Sequence, residues 1–144
     1  MTRIGILTCS NITQDLGCPA SICLKDLRTK GGKFAGYVDG IELVGIINCA
    51  GCAGILGADK LVHRIRALAE LNVDAIHLSS CLIDFCPFKE QYRKMISEKY
   101  PNIDVVFGTH DPPVGITPEI FIQVVREMFR QPKPGMIDLI KPFV

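Results

Sequence analysis

Short, almost continuous hydrophobic runs alternate with amphipathic stretches along most of the chain. The runs predict four strands, at Arg3–Thr8, Glu42–Asn48, Ala75–Ser80 and Asp104–Thr109. Strands that are apolar throughout are typical of sheets covered on both faces, and helical patterns between them favour parallel βαβ connections. We therefore predict an α/β fold with one doubly wound, mostly parallel sheet of about four to five strands, of the flavodoxin or Rossmann type.

Amphipathic segments with recognisable ends predict the helices. The last helix has the clearest start, with Thr117 as N-cap and Pro118 at the first helical position. Its expected core face comprises Ile120, Phe121, Val124, Val125 and Met128. An earlier helix, capped by Asp59, ends before Asn72 and buries Leu61, Ile65, Leu68 and Ala69. Two further helices are predicted at Ala20–Thr29 and Lys89–Lys99.

Length and charge narrow the class of protein. The 144 residues suit one ordinary domain, so we expect a single domain over residues 1–144, with 131–144 as a C-terminal tail whose packing surface is unknown. Sixteen basic and fifteen acidic residues nearly balance, without a basic cluster, which argues against nucleic acid or a membrane as partner. The N-terminus shows no signal-peptide pattern, so we expect a cytoplasmic protein, and a homo-oligomer remains open.

Metal-ligating side chains follow each predicted strand. Cys9 follows the first strand, Cys49 the second, Cys81 the third and His110 the fourth. Because the carboxyl ends of parallel strands share one edge of a sheet, these side chains are expected to lie along that edge, where ligands of such folds bind. Thiols stay reduced in the cytoplasm, so the seven cysteines of the chain are interpreted as ligands, nucleophiles or small core residues before disulfides.

The other cysteines form close pairs with spacings that suit chelation. Cys49 and Cys52 form a C-x2-C, while Cys81 and Cys86 form a C-x4-C. We expect the Cys49 turn to lead into a helix whose dipole favours a thiolate. Cys18 and Cys23 are weaker candidates, because a helical cysteine often packs as a small hydrophobe.

The three histidines differ in context. His110 lies in a stiff loop after a strand and is predicted to be a ligand or proton donor. His77 lies inside a strand and is predicted to be a hydrogen-bonded core residue. His63 falls between the apolar positions of its helix and is predicted to be solvated.

Three blocks, in order, resemble the CGGC-domain family: Val44–Cys52, Ile76–Cys81 and Gly108–His110. The resemblance runs from Cys9 to His110 and implies a metal-binding protein, with zinc suggested and no defined activity. This chain has Ala50 where the family motif has glycine. Alanine disfavours a positive φ at that position.

Two functional hypotheses follow. In the first, the protein binds zinc, or alternatively an iron–sulfur cluster, for metal handling, sensing or metal-dependent chemistry. Its inner ligands are Cys9, Cys49, Cys52 and Cys81, with Cys86 and His110 as additional or exchangeable ligands. In the second, the protein is a metal-free thiol redox enzyme, with Cys49 as nucleophile, Cys52 resolving it, and His110 or Asp111 handling protons.

Overall fold

The structure is a computed structural model that describes residues 1–52, 57–112, 114–130 and 142, and in these residues it has four strands and five α-helices. The strands are β1 (Thr2–Thr8), β2 (Ile41–Asn48), β3 (Ala75–Leu78) and β4 (Asp104–Phe107). The α-helices are α1 (Ser21–Thr29), α2 (Gly57–Glu70), α3 (Ser80–Phe85), α4 (Lys89–Lys99) and α5 (Pro118–Arg130). A π-helical turn at Asn11–Asp15 and a 3-10 turn at Gly32–Phe34 complete the order. The chain divides into two compact units, residues 1–113 and residues 114–144.

The four strands form one parallel sheet in the order β2-β1-β3-β4. In β1, Thr8 lies opposite Asn48 of β2, and Leu7 lies opposite Leu78 of β3. Leu78 in turn lies opposite Phe107 of β4. The strands therefore end at nearly the same level, which confirms the predicted parallel α/β fold and a shared carboxyl edge.

The sheet is covered on both faces, as a doubly wound fold requires. Ile4 and Ile6 point to one face, where they form a buried cluster with Phe34 of the 3-10 turn and Leu27 of α1. Gly5 points to the opposite face, since alternate residues of a strand do so. A β-carbon at Gly5 would lie 2.5 Å from Leu68 of α2, so this glycine lets α2 pack closely on β1.

Two predicted strands end earlier than expected, and this moves one candidate ligand. β3 ends at Leu78 because Ser79, with φ −55° and ψ 153°, turns the chain into α3. Cys81 consequently lies in the first turn of a helix and not at a strand end. β4 ends at Phe107 because Gly108, with φ +98°, departs from strand geometry.

The prediction for α2 is confirmed with one correction. In α2, Leu61, Ile65 and Leu68 are buried as predicted, and Asn72 follows with a left-handed φ of 55°. The helix begins at Gly57, so Asp59 is a first-turn residue and not the N-cap.

The second unit contains α5, whose predicted start is confirmed. Thr117 caps the helix, since its hydroxyl accepts the amide hydrogen of Ile120 at 3.3 Å. The expected core face is wrong in part, because Ile120 and Val124 are 44% and 50% exposed and Met128 is 45% exposed. The predicted packing of residues 136–144 lies outside the described residues, Pro142 excepted. Among the helices described, none is long and apolar enough to cross a membrane.

Candidate functional site

Cys9 and Cys49 meet at the carboxyl edge because their strands are neighbours. Thr8 and Asn48 are paired in the sheet, and each cysteine is the next residue along its strand. The backbone N–H of Cys49 donates to the carbonyl of Thr8 at 3.1 Å, so the pairing continues one residue beyond β2. The two cysteine side chains are hydrogen-bonded to each other.

This hydrogen bond has opposite effects on the pKa values of the two cysteines. It lowers the pKa of Cys49 to about 5, against an opposing effect of burial, and backbone N–H groups of Ser10 and Gly51 help. The Ser10 amide donates to Cys49 Sγ at 3.4 Å. The same hydrogen bond, together with burial, raises the pKa of Cys9 far above its ordinary value. At neutral pH Cys49 is therefore a thiolate, and Cys9 is a thiol that donates to it.

The turn after β2 supplies the amide of Gly51 through an unusual backbone. Ala50 and Gly51 both have positive φ, 64° and 95°. The expectation that alanine would disfavour this conformation is overridden, and the Ala50 N–H donates to Asn48 Oδ1 at 3.0 Å. The expected source of thiolate stabilisation was the dipole of the following helix. Residues 53–56, between this turn and α2, lie outside the described residues, and the hydrogen bonds that lower the pKa of Cys49 come from Cys9 and from backbone amides.

Four cysteines line one small cavity of about 50 Å³. They are Cys9, Cys49, Cys52 and Cys86. Cys52 is exposed, and its Sγ accepts a hydrogen bond from Asn11 Nδ2 at 3.3 Å. Burial raises the pKa of Cys86. Phe85, Phe88 and Tyr92 also line the cavity.

The pKa of Tyr92 responds to burial and to ionised cysteines in this cavity. Burial is the main cause that raises the pKa of Tyr92 to about 12, and the negative charge of Cys86, Cys49 and the other cavity cysteines adds to it. The tyrosine therefore stays protonated beside the thiolate. We refer to the space lined by these four cysteines as the cysteine cavity.

Cys81 lies behind Cys9. Its sulfur accepts the backbone N–H of Cys9 and lies 3.1 Å from Ser79 Oγ. Burial nevertheless raises the pKa of Cys81, so at neutral pH its thiol is protonated. Cys81 thus supports the backbone of Cys9.

His110 has a different partner, Cys23 of α1. The two side chains are hydrogen-bonded, and this contact is the main cause that raises the pKa of His110. Burial raises the pKa of Cys23, but hydrogen bonds from His110 and Thr109 outweigh it and lower the pKa overall. The Thr109 hydroxyl lies 3.2 Å from Cys23 Sγ, and His110 Nδ1 lies 2.9 Å from the carbonyl of Asp111. The contact thus shifts each residue towards its charged form, His110 towards the imidazolium and Cys23 towards the thiolate.

Ser80 fixes the segment that carries His110. Its hydroxyl accepts the backbone N–H groups of Thr109 and His110 at 3.0 and 3.1 Å and donates to the carbonyl of His110 at 2.6 Å. The hydroxyl thereby uses its donor and both acceptor positions. The sequence predicted Ser80 only as the last residue of a strand. In the structure it positions His110, a candidate site residue.

The strand order explains why the predicted site residues separate into two groups. β2 and β4 lie at opposite ends of the sheet, three strand spacings or about 14 Å apart. Cys49 follows β2 and His110 lies just beyond β4, so the two belong to different groups. The sequence signal for Cys23 was its C-x4-C spacing with Cys18, which pointed to chelation and did not reveal its histidine partner.

The remaining histidines behave as predicted. His77 is fully buried, with Nε2 2.7 Å from the Tyr37 hydroxyl and Nδ1 2.8 Å from the carbonyl of Gly108. Its role as a hydrogen-bonded core residue is confirmed. His63 is exposed on α2, which confirms its predicted solvation.

Comparison with known proteins gives one match. No curated protein and no solved structure matches the chain. Residues 3–110 match the family model of the CGGC domain, which spans all four strands, the cysteine cavity and His110. The match covers most of the chain, and the Cys49-Ala50-Gly51-Cys52 turn occupies the motif position, so the chain belongs to the CGGC domain family.

Proposed function

We propose that the protein binds a thiophilic metal ion in the cysteine cavity, with Cys9, Cys49, Cys52 and Cys86 as donors. The observation that carries this proposal is that four thiol side chains, brought by three separate loops, line a single small cavity. Cysteines used as core filler have no reason to share one cavity. A set of four sulfur donors matches the ligand number of a closed tetrahedral zinc site.

The donor chemistry fits the metal expected of the family. Thiolates are soft ligands that select zinc, copper(I) or iron–sulfur clusters. Cys49 already favours the thiolate, which is the form that binds metal. A cavity of about 50 Å³ accommodates one ion more readily than four irons and four sulfides. Zinc is therefore our first choice, and an iron–sulfur cluster is the alternative.

Metal binding requires movement and loss of protons. Within the described ranges, no three Cys, His, Asp or Glu side chains are already arranged to hold an ion. We expect the cysteine side chains to change rotamer around the ion, with the exposed Cys52 moving most easily. Cys9 and Cys86, whose pKa values are raised, must release protons, so metal affinity should fall steeply as the pH is lowered.

The proposed donor set differs from the sequence prediction at three residues. Cys86 lines the cavity and takes a place in the inner set, whereas Cys81 supports Cys9 from behind. His110 is paired with Cys23 and is not among the proposed donors. Ligation by Cys81 stays a prediction that the alkylation experiment below addresses, and ligation by His110 stays a prediction.

Two exposed cysteines provide a matched test. Cys52 lines the cavity and Cys18 does not, while both are exposed and free. The full chain, purified without oxygen and stripped of metal, is titrated with Zn²⁺, and the bound ion is measured. We expect the Cys52→Ser variant to lose most bound zinc and the Cys18→Ser variant to bind as the wild type does.

Alkylation of the same samples locates the donors. Bound zinc should protect the four cavity cysteines and leave Cys18 reactive. Equal zinc binding by both serine variants, or equal alkylation with and without zinc, would contradict the proposed site. Protection of Cys81 together with Cys9 would restore the donor set predicted from sequence.

A further inference from the structure

The position of Cys9 relative to Cys49 is fixed by the sheet and does not depend on a metal. Thr8 and Asn48 are paired, and the Cys49 amide continues the pairing by donating to Thr8. Neighbouring strands lie about 4.8 Å apart. Disulfides join residues whose α-carbons are about 4.4 to 6.8 Å apart, so the strand spacing alone places Cys9 and Cys49 within bonding range.

The two sulfurs are also chemically unequal. Cys49 Sγ accepts the Ser10 amide hydrogen at 3.4 Å as well as the hydrogen bond from the Cys9 side chain. Cys9 is 7% exposed and donates to Cys49. Both line the cavity, but Cys49 is half-buried, so a small molecule reaches the sulfur of Cys49 more easily than that of Cys9.

The cavity limits the size of an oxidant. A space of about 50 Å³ holds molecules of a few water volumes and is much smaller than a whole tripeptide disulfide. Hydrogen peroxide is the common thiol oxidant of that size. Its reaction with a thiolate gives a sulfenic acid, which a neighbouring thiol converts to a disulfide.

We propose that Cys9 and Cys49 form a dithiol that peroxide oxidises to a disulfide, and that this oxidation releases the metal ion. The release of metal rests on the metal site proposed above, whereas formation of the disulfide does not require that site. Oxidation would remove two of the four donors from the cysteine cavity. The protein would then hold its metal only while the cavity is reduced.

The reaction balances in two steps. The Cys49 thiolate attacks one peroxide oxygen, the O–O bond breaks, and the departing hydroxide takes a proton, giving Cys49 sulfenic acid and water. The Cys9 sulfur then attacks the Cys49 sulfur, the S–O bond breaks, and hydroxide leaves as a second water with the proton of the Cys9 thiol. Two protein sulfurs lose two electrons in total, and peroxide receives them.

Cys52 is the competing partner for Cys49, as the C-x2-C spacing suggests. Its side chain is exposed, and Asn11 Nδ2 donates to its sulfur at 3.3 Å. The backbone of Ala50 and Gly51 is left-handed at both residues and turns the chain between the two cysteines. Cys9 already contacts Cys49, so it should react first.

The experiment treats the reduced, metal-free full chain with hydrogen peroxide, blocks remaining thiols by alkylation, and maps the linked peptides by mass spectrometry. Cleavage at Asp15 separates Cys9 from Cys18. We expect a Cys9–Cys49 link in the wild type and in the Cys52→Ser variant. In a double variant with Cys9→Ser and Cys52→Ser, which lacks both candidate partners, Cys49 sulfenic acid should accumulate and react with dimedone. A link between Cys49 and Cys52, or thiols at Cys9 and Cys49 that remain open to alkylation, would overturn the inference.

A zinc titration before and after oxidation separates the two proposals. Zinc bound by the reduced protein and lost on formation of the link supports both. A Cys9–Cys49 link in a protein that binds no zinc when reduced supports the disulfide and refutes the metal site. Zinc retained in stoichiometric amount after the link has formed overturns the proposed release. Restoration of binding by a dithiol reductant confirms that the loss is reversible.

Discussion

The carboxyl edge of the sheet carries two cysteine pairs that favour a thiolate by different means. Cys49 is stabilised by the thiol of Cys9 and by backbone amides. Cys23 is stabilised by the imidazole of His110 and the hydroxyl of Thr109. Cys49 lines a cavity, whereas Cys23 is only 6% exposed. We name the pairs after the exposure of these two thiols: Cys9–Cys49 is the open pair and Cys23–His110 is the enclosed pair, although His110 itself is half-buried.

The difference shows what a lowered thiol pKa indicates. A perturbed pKa alone does not identify a reactive site, because structural networks perturb pKa values too. In the Cys9–Cys49 pair, the Cys49 thiol has a lowered pKa and also lines a cavity that it shares with Cys52 and Cys86. The Cys23 thiol has a lowered pKa but is buried, which suits a role in holding α1 to the segment after β4. Four measurements test this distinction.

The largest effect is expected at Gly32, which affects only the enclosed pair. Gly32 has φ +49°, and a β-carbon there would lie 2.7 Å from the Thr109 carbonyl oxygen and 2.8 Å from His110 Cα. Gly32→Ala should lower the free energy of unfolding by about 3 kcal/mol, through backbone strain and overpacking. Urea unfolding measures this.

The control for Gly32 is Gly36→Ala, because nothing lies within 4 Å of a β-carbon at Gly36. The control should unfold at nearly the same urea concentration as the wild type. The Gly32→Ala variant should keep the acidic titration of Cys49, since that pair lies across the sheet. Similar stability of both variants would show that the Gly32 contact is unimportant.

The second prediction concerns the pH dependence of Cys49 reactivity in the open pair. A thiolate is the reactive form, so Cys49 in the wild type should become reactive towards alkylation as the pH rises through about 5. Cys9→Ala removes the main hydrogen bond and should move this midpoint upward by about one to two pKa units. Residue-resolved mass spectrometry follows the rate against pH. Cys23→Ala is the control, and an unchanged midpoint in Cys9→Ala would contradict the assigned hydrogen bond.

The third prediction affects the enclosed pair without requiring access by a reagent. Contact with Cys23 raises the pKa of His110 by favouring the imidazolium. Cys23→Ala should therefore lower the pKa of His110 towards its ordinary value, as measured by an NMR titration of the ring. Cys52→Ala, at an exposed cavity residue, should leave that titration unchanged. If Cys23→Ala leaves the pKa of His110 unchanged, contact with Cys23 is not the cause of the raised pKa.

The smallest effect is expected in the turn after Cys49. Ala50 has φ +64°, where alanine is strained and glycine is not. Ala50→Gly should raise the free energy of unfolding by about 0.5–1 kcal/mol, after allowance for the greater freedom of glycine in the unfolded chain. Ala35→Gly is the matched control, because Ala35 is exposed with φ −61°. If both variants have a higher free energy of unfolding than the wild type, relief of left-handed strain at Ala50 does not explain the increase.

Several features of the fold and site were predictable from local sequence. The apolar runs identified all four described strands, because strands buried on both faces must be hydrophobic throughout. The positions of Cys9 and Cys49 directly after β1 and β2 followed from the same pattern. His77 inside β3 and His63 on α2 were placed correctly as buried and solvated, since burial follows the period of the element.

Some boundaries were wrong because a few local dihedral angles set them. Ser79 ends β3 and starts α3, which moves Cys81 into a helix. Gly108 ends β4 with a positive φ. Ala50 adopts a left-handed conformation that its side chain disfavours, and a local hydrogen bond from its N–H to Asn48 Oδ1 stabilises the turn.

The sequence by itself determined which residues reach the carboxyl edge, because each follows a strand or opens the helix after it. Only the tertiary structure decided which of them meet. The order β2-β1-β3-β4 places β1 beside β2 and separates β2 from β4 by three strand spacings, about 14 Å. Cys49 therefore pairs with Cys9, and His110 pairs with Cys23. Strand order depends on how the helices pack on the two faces of the sheet, and local hydrophobic patterns do not encode it.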